Sequence, residues 1–376
     1  MKILVIGNYY YPEHIGGVEV VSFNLTKYYR MLGQEVRWIA ADVPPKFRIV
    51  CDGDVPIRSW NIAEERFGFP SPIPHPSVLA ELYNNIKWCD VVHLQDCLYL
   101  TNILAFLITK LLKRPILITQ YAKIIPYAQA YKRALQVVAY ATIGRIMFHA
   151  ANKLVFITSN VRDEMKHINP GVQYEVVPLG VDTDFYAPIP EQNRTLLRTR
   201  LCGDPLMPLI LFVGRMVERK GVHLIRPLIE KHGEWHWVLV GRPDDYDPGE
   251  WQMGNLTYFR NASDMALRDL YASADLLVHP SSGEGFTLTA SECVACGTSI
   301  LISDESLCEI PKEERDLFFS ITPATDEIEK ALIRALENLE HLNNMRSQNR
   351  EFAQKRLSWE RVAQQYLEIL RELLPA

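Results

Sequence analysis

Ten short runs rich in Val, Ile and Leu, four to six residues each, alternate with longer stretches of helical character. No other feature of the sequence constrains the fold as much. A run that short and that apolar is buried on both faces, which marks a parallel strand, and parallel strands need crossover connections of a dozen residues or more. The runs are Lys2 to Gly7, Glu35 to Ala40, Asp90 to Leu94, Pro115 to Thr119, Lys153 to Thr158 and Tyr174 to Pro178, then Pro208 to Val213, Trp237 to Val240, Leu276 to His279 and Ser299 to Ile302. They predict an α/β fold of two doubly wound parallel sheets.

At about 150 residues per domain, 376 residues make two domains. The proline-containing, polar segment Tyr186 to Asn193 is the natural linker, giving domains over 1–187 and 188–356. The halves echo each other. Ile3-Leu4-Val5-Ile6-Gly7 opens the first and Leu209-Ile210-Leu211-Phe212-Val213-Gly214 the second, each read as a strand that ends at its glycine. Two such folds facing each other leave a cleft at their strand carboxyl ends, where open α/β sheets bind ligands. Ile328 to Asn343 reads as one amphipathic helix.

Composition removes several alternatives. With 48% hydrophobic and 23% charged residues the chain is neither disordered, collagen-like nor coiled-coil. A net charge of −5 argues against general nucleic-acid binding. Seven cysteines, an odd number, point to reduced thiols. Met1 to Gly7 lacks the small-residue cleavage site of a signal peptide and reads as a buried strand. Leu98 to Leu112, interrupted by Asn102 and Lys110, falls short of the roughly 20 residues of a spanning helix. The expectation is a cytoplasmic protein. Lys110, Lys113 and Arg114 close an apolar helix and could touch anionic lipid heads, solvated helix-end charge being the plainer explanation.

Three constellations could carry chemistry. In Pro12 to Glu19, Gly16 and Gly17 allow close backbone approach, and the N–H groups of the following helix can bind a phosphate oxygen, although adjacent glycines serve equally in a plain turn. At the matching place in the second half, Arg215 at a strand end and Lys220 entering the next helix could clamp a diphosphate. The third runs from Ser281 to Glu292. Glu284 lies in a glycine-flanked loop and Glu292 about a turn into the next helix, so two carboxylates can each hold a diol while N–H groups near Thr287 and Leu288 face a phosphate. Other signals carry less. Asp52-Gly53-Asp54 and Asp182-Thr183-Asp184 have a D-x-D form but too few ligands for a metal, the first lying in a loop without a preceding buried strand. Cys293 and Cys296 share a helix with no second cysteine pair and read as core.

Together the glycine pair, the G-R-x4-K-G element at Gly214 to Gly221 and the E-x7-E element from Glu284 to Glu292 resemble the retaining glycosyltransferases of family 4, which have the GT-B fold. Asp90-Val91-Val92-His93, Val177 to Asp182, Ala295 to Thr298 and Ser358 to Ala363 extend the resemblance over nearly the whole chain. It implies a metal-independent, retaining hexosyltransferase without a cofactor. Its donor would be a nucleotide-diphosphate sugar and its acceptor a saccharide or lipid-linked molecule, in polysaccharide, lipopolysaccharide or glycolipid biosynthesis, with peripheral association at the inner membrane face among the implied traits.

The resemblance also implies roles. Gly16 and Gly17 would meet the donor diphosphate; Arg215 and Lys220 would neutralise it; Glu284 would contact the transferred sugar. The backbone of Gly285, Phe286, Thr287 and Leu288 would line sugar and phosphate, Glu292 would hold the ribose, and the helix over 357–376 would pack back on the first domain. Closure of the two halves on the donor is a further expectation. The sequence departs from the family where Tyr121 follows Thr119-Gln120 in place of a histidine, where Gln95 follows His93 by two, and where Leu256 to Asn261 is bulky. Tyr121 and His93 remain the candidate acceptor-side or sugar contacts. A nucleotide-sugar 2-epimerase and a catalytically silent sugar-nucleotide binder are the alternatives.

Overall fold

The computed structural model describes residues 1–10, 17–43, 52–62, 71–121, 130–166, 171 and 173–374. The chain forms two compact units, Met1–Pro178 with Val362–Ala376, and Leu179–Arg361.

The first unit is built on an eight-stranded sheet in the order β4-β3-β2-β1-β5-β6-β7-β8. Its strands are β1 (Lys2–Tyr9), β2 (Glu35–Asp42), β3 (Asp54–Trp60), β4 (Ile73–Pro74), β5 (Val91–Gln95), β6 (Ile116–Gln120), β7 (Lys153–Phe156) and β8 (Tyr174–Val176). All neighbours run parallel except β3 and β4, which pair antiparallel. β5, β6 and β7 are buried at every position, as strands covered by helices on both faces must be. β1 does not end at Gly7: it continues to Tyr9, pairing Tyr9 with Ala41 after a register shift.

The second unit has a six-stranded, wholly parallel sheet in the order β11-β10-β9-β12-β13-β14. These strands are β9 (Leu209–Val213), β10 (His236–Val240), β11 (Leu256–Phe259), β12 (Leu276–His279), β13 (Ser299–Ser303) and β14 (Phe319–Ile321). Beneath β9 and β12, Asp275 accepts hydrogen bonds from Arg194 and Arg198 at 2.9 Å each and from the Leu209 N–H. That buried network ties the first helix of the unit, Glu191–Cys202, to the sheet. Cys293 and Cys296 are fully buried in the core with Phe286, Phe318 and Phe352.

The unit boundary falls at Pro178 and not near residue 188. Val181 explains the difference. Its N–H donates to the Leu357 carbonyl at 2.7 Å, its carbonyl accepts from Trp359 N–H, and Tyr186 packs on the core of the second unit. The expected linker is thus part of that unit. The terminal helix Trp359–Glu372 groups with the first unit from Val362 onward rather than from 357. There Tyr366 lies against His93, ring centroids 5.3 Å apart. The single helix expected over Ile328 to Asn343 is two, Thr325–Leu336 and Leu339–Phe352, separated because Asn338 caps the second by accepting from His341 N–H at 2.9 Å.

One acid of each acidic motif is held by the fold. Asp54 opens β3, buried, with its carboxylate 2.7 Å from Arg30, so it is not in a loop. Asp182 closes a turn by accepting from Asp184 and Phe185 N–H groups. Among the described residues no helix is long and apolar enough to cross a membrane.

Candidate active site

Three loops of the second unit leave the carboxyl ends of β9, β12 and β13, the side on which parallel sheets bind ligands. The loop after β9 carries Arg215, Arg219 and Lys220, and that after β12 carries Glu284. Their backbones are locked together. Ser282 N–H donates to the Arg219 carbonyl at 2.9 Å. Gly221 has φ +77°, and a Cβ there would stand 2.7 Å from Pro280 Cγ and 2.9 Å from its carbonyl oxygen. Glycine is what lets the two loops touch. The β12 loop is held from its other side by the short helix Asp304–Leu307. Gly283, at φ +72°, donates its N–H to Glu305 at 2.7 Å, and Ser306 Oγ donates to the Glu284 carbonyl at 3.0 Å.

This scaffold assembles an ion cluster. Lys220 Nζ donates to Glu284 Oε2 at 2.6 Å, and Arg219 Nη1 lies 2.8 Å from Glu284 Oε1. Lys220 and Glu284 are almost covered, at 13% and 12% side-chain exposure, so neither is well hydrated. Burial pushes the Glu284 carboxyl up, but Lys220 beside it more than offsets this and holds it below the usual carboxylate range. Burial likewise draws the Lys220 ammonium down from the ordinary lysine value, with Glu284 opposing. His279, the last residue of β12, sits 3.9 Å from Glu284 and 3.3 Å from Thr287 Oγ1. Burial, then the Lys220 charge, lower its pKa to about 3, so the imidazole is neutral.

The helix Leu288–Ala295 begins directly after this cluster, capped by Thr287, whose Oγ1 accepts from Ala290 N–H. Phe286 turns its ring into the core, 5.7 Å from Phe318 and 6.4 Å from Phe352, and so anchors Gly285, Thr287 and Leu288. Any ligand contact of Phe286 is left to its backbone. On the helix, Glu292 Oε2 accepts from Tyr271 OH at 3.0 Å. Burial pushes the Glu292 carboxyl up to about 7, against the Tyr271 and Tyr186 hydroxyls, which favour its ionised form.

The structure thus brings Lys220 onto Glu284, while Arg215 stands apart. Arg215 is half exposed, with Nη1 3.5 Å from Asp244. Gly16 lies outside the described residues. Gly17 opens the helix Gly17–Met31, and among the described residues nothing lies within 4 Å of a Cβ built there. His93 is fully buried on β5: Nδ1 is 3.3 Å from Tyr29 OH and Nε2 2.8 Å from Thr119 Oγ1, and burial lowers its pKa to about 3. Tyr121, also buried, donates to Gln95 Oε1, and the position two residues past His93 is therefore engaged with the position that follows Thr119-Gln120. Both candidate contacts face the interior. Arg219, His279, Tyr271 and Tyr186 were missed. His279 was signalled only by its place at a strand end, and Tyr186 was hidden in the expected linker.

Comparison with known proteins covers most of both units. The model of glycosyltransferase family 4 matches residues 15–185, and that of the glycosyl transferases group 1 matches residues 205–352. The chain is 24% identical over 400 aligned positions to an alpha-maltose-1-phosphate synthase of Mycolicibacterium smegmatis, covering 99% of this chain and 100% of that protein. It is 36% identical over 141 residues to a D-inositol 3-phosphate glycosyltransferase of Xylanimonas cellulosilytica, a match that spans only 34% of either chain. Among solved structures, Anabaena HepE in complex with UDP superimposes with a TM-score of 0.73 at 16% identity, over 99% of this chain and 100% of that one. The two parallel-sheet α/β domains are the GT-B architecture. With the two models matched in order along the chain, this is a glycosyltransferase of the family 4 type.

Proposed function

We propose that this chain is a retaining, metal-independent hexosyltransferase that moves a sugar from a nucleoside-diphosphate donor to a saccharide or lipid-linked acceptor, in polysaccharide, lipopolysaccharide or glycolipid assembly. The observation that carries the reading is the cluster of Lys220, Arg219 and Glu284 beside the start of the helix Leu288–Ala295. When the bond between the anomeric carbon and the diphosphate breaks, negative charge grows on the leaving phosphate. Two cations and the free N–H groups of a helix start, already fixed in place, favour that charge without reorganising. Lys220 and Arg219 do what a divalent cation does in other transferases, and no resident cofactor enters the reaction. Glu284 accepts hydrogen bonds from sugar hydroxyls once the diphosphate competes for its cations. Glu292 holds the ribose diol. The relatives' names support the reading: an alpha-maltose-1-phosphate synthase matches end to end, and HepE binds UDP.

The test is incubation with a panel of nucleotide sugars, with and without saccharide or polyprenyl-phosphate sugar acceptors, followed by NMR of the product. Transfer with the donor's anomeric configuration, insensitive to EDTA, is expected. An epimerised nucleotide sugar formed without acceptor, an inverted linkage or a strict divalent-metal requirement would overturn the proposal.

A further inference from the structure

The two carboxylates of the second unit are held in different ways. Glu284 is met by Lys220 and Arg219, so cations match its charge. Among the described residues no Lys, Arg or His pairs with Glu292, and Asp264, the charged group that acts on it, has the same sign and disfavours ionisation. What favours the ionised form is a pair of phenols, Tyr271 from the helix Asp264–Ser273 and Tyr186 from the segment after Val181. Cys296, four residues on, stays a neutral thiol because burial pushes it up to about 12. Tyr271 is fully buried, and among the described residues its hydroxyl makes one hydrogen bond, to Glu292 Oε2. Both tyrosines are fixed at their backbones. Thr298 Oγ1 donates to the Tyr271 carbonyl at 2.6 Å, and Arg346 donates to the carbonyls of Ala272 and Ala274. Arg350 Nη1 donates to the Tyr186 carbonyl at 2.7 Å and to the Ala295 carbonyl at 2.9 Å, which ties Tyr186 to the end of the helix that carries Glu292. The two rings stand edge to face, centroids 6.2 Å apart.

The kind of hydrogen-bond partner decides what Glu292 can still do. A cation would cancel its charge, whereas a phenol donates one hydrogen bond, adds no charge and leaves the carboxylate lone pairs for further donors. Two adjacent hydroxyls are such donors, and each loses affinity if it leaves water without finding an acceptor. We propose that Tyr271, braced by Tyr186, is a positioning residue: it turns the Glu292 carboxylate toward the ribose diol of the donor and sets the preference of this site for a ribonucleotide over its 2′-deoxy counterpart. The inference rests on the ribose role proposed for Glu292 and adds the residues that make that role possible. Burial pushes the Glu292 carboxyl up to about 7 even with both phenols in place, so loss of the Tyr271 hydroxyl moves it further up. The preference for ribose therefore grows with pH through the neutral range, and it grows at higher pH when Tyr271 is lost.

The full chain is titrated calorimetrically between pH 6 and 8.5 with UDP, GDP or ADP, whichever raises its melting temperature, and with the matching 2′-deoxyribonucleoside diphosphate. The ratio of the two dissociation constants cancels the titration of the ligand's own phosphate. In the wild type the ribonucleotide should bind about tenfold more tightly at pH 8, and this preference should fall as pH drops below 7. Tyr271→Phe keeps the ring; it should cut the preference at pH 8 severalfold and move its fall to higher pH, with a wild-type circular-dichroism melting curve as proof of folding. Tyr186→Phe, at a partly exposed position, should act in the same direction and gives a second measurement. A Tyr271→Phe variant that weakens both ligands equally, with the preference and its pH dependence unchanged, would overturn the proposal and leave the ribose role of Glu292 standing. A wild type that binds no nucleoside diphosphate, or binds both forms equally, would remove that role and this inference with it.

Discussion

Lys220 Nζ and Glu284 Oε2 lie 2.6 Å apart, almost shielded from solvent, at the carboxyl ends of two adjacent parallel strands, β9 and β12. Removing one member leaves the other poorly hydrated, and removing the cation also strips positive charge from the place where the leaving phosphate would sit. Lys220→Ala is expected to lower kcat/KM by 10²- to 10³-fold, or about 2.7–4 kcal/mol of barrier. Its cost in stability should be smaller than the roughly 3–5 kcal/mol of a broken buried pair, because Arg219 still meets Glu284 Oε1. Steady-state kinetics and urea unfolding check the two parts separately.

Glu292 makes a second prediction, of the opposite kind. Its folded pKa of about 7 lies above the ordinary 4.5, so between these values the folded chain holds a proton that the unfolded chain has lost. The contribution to stability is present in full below pH 4.5 and is lost as pH rises towards 7, by at most about 1.4 kcal/mol per pH unit. Glu292→Gln should remove this dependence, making the variant more stable than wild type at pH 8 while weakening nucleotide binding. Chemical denaturation at pH 5 and pH 8 measures the difference.

His93 and His279 act in the other direction. Each has its folded pKa lowered to about 3 from 6.5, so as pH falls below 6.5 the unfolded chain takes up protons that the folded chain does not. Stability is lost progressively as pH falls from 6.5 towards 3. His93→Gln, away from the ion cluster, should flatten the acid limb of the stability curve by up to about 1.4 kcal/mol per pH unit. An unchanged slope between pH 6 and 4 would argue against a buried neutral imidazole.

Gly221 is the contact point of the two loops. Gly221→Ala places a methyl group 2.7 Å from Pro280 Cγ in a backbone conformation that costs an L-residue about 1–2 kcal/mol before any clash. The expected result is a destabilisation above 1 kcal/mol together with at least a tenfold loss of kcat/KM, since Arg219 and Lys220 move with the loop. Ordinary activity at a wild-type melting temperature would show that the loops are not coupled.

What the sequence disclosed about the fold follows from burial. β5, β6, β9, β10, β12 and β13 are covered throughout and therefore appear as unbroken apolar runs. β3, β4, β11 and β14 leave no such run. β3 contains Pro56 and only two buried positions, all four residues of β11 are partly exposed, and β14 is three residues long. Strands that are half covered or short leave no continuous pattern to detect. The site shows the same division. Lys220 and Glu284 stood out because glycines flank them after buried strands. Nothing in the spacing singles out Arg219, and Tyr271 is 21 residues from Glu292 along the chain, so the pairing of Tyr271 with Glu292 exists only once the helix Leu288–Ala295 packs beside the helix Asp264–Ser273.

The most direct test of the central claim is a thermal-shift panel of UDP, GDP, ADP and their sugars against wild type and Lys220→Ala. At least one nucleotide should raise the wild-type Tm in a concentration-dependent manner, by mass action on the folded state, and should fail to do so in Lys220→Ala. A nucleotide that stabilises both proteins equally, or a wild-type protein that none of them stabilises, would contradict the assignment of the Lys220–Glu284 cluster as the donor site.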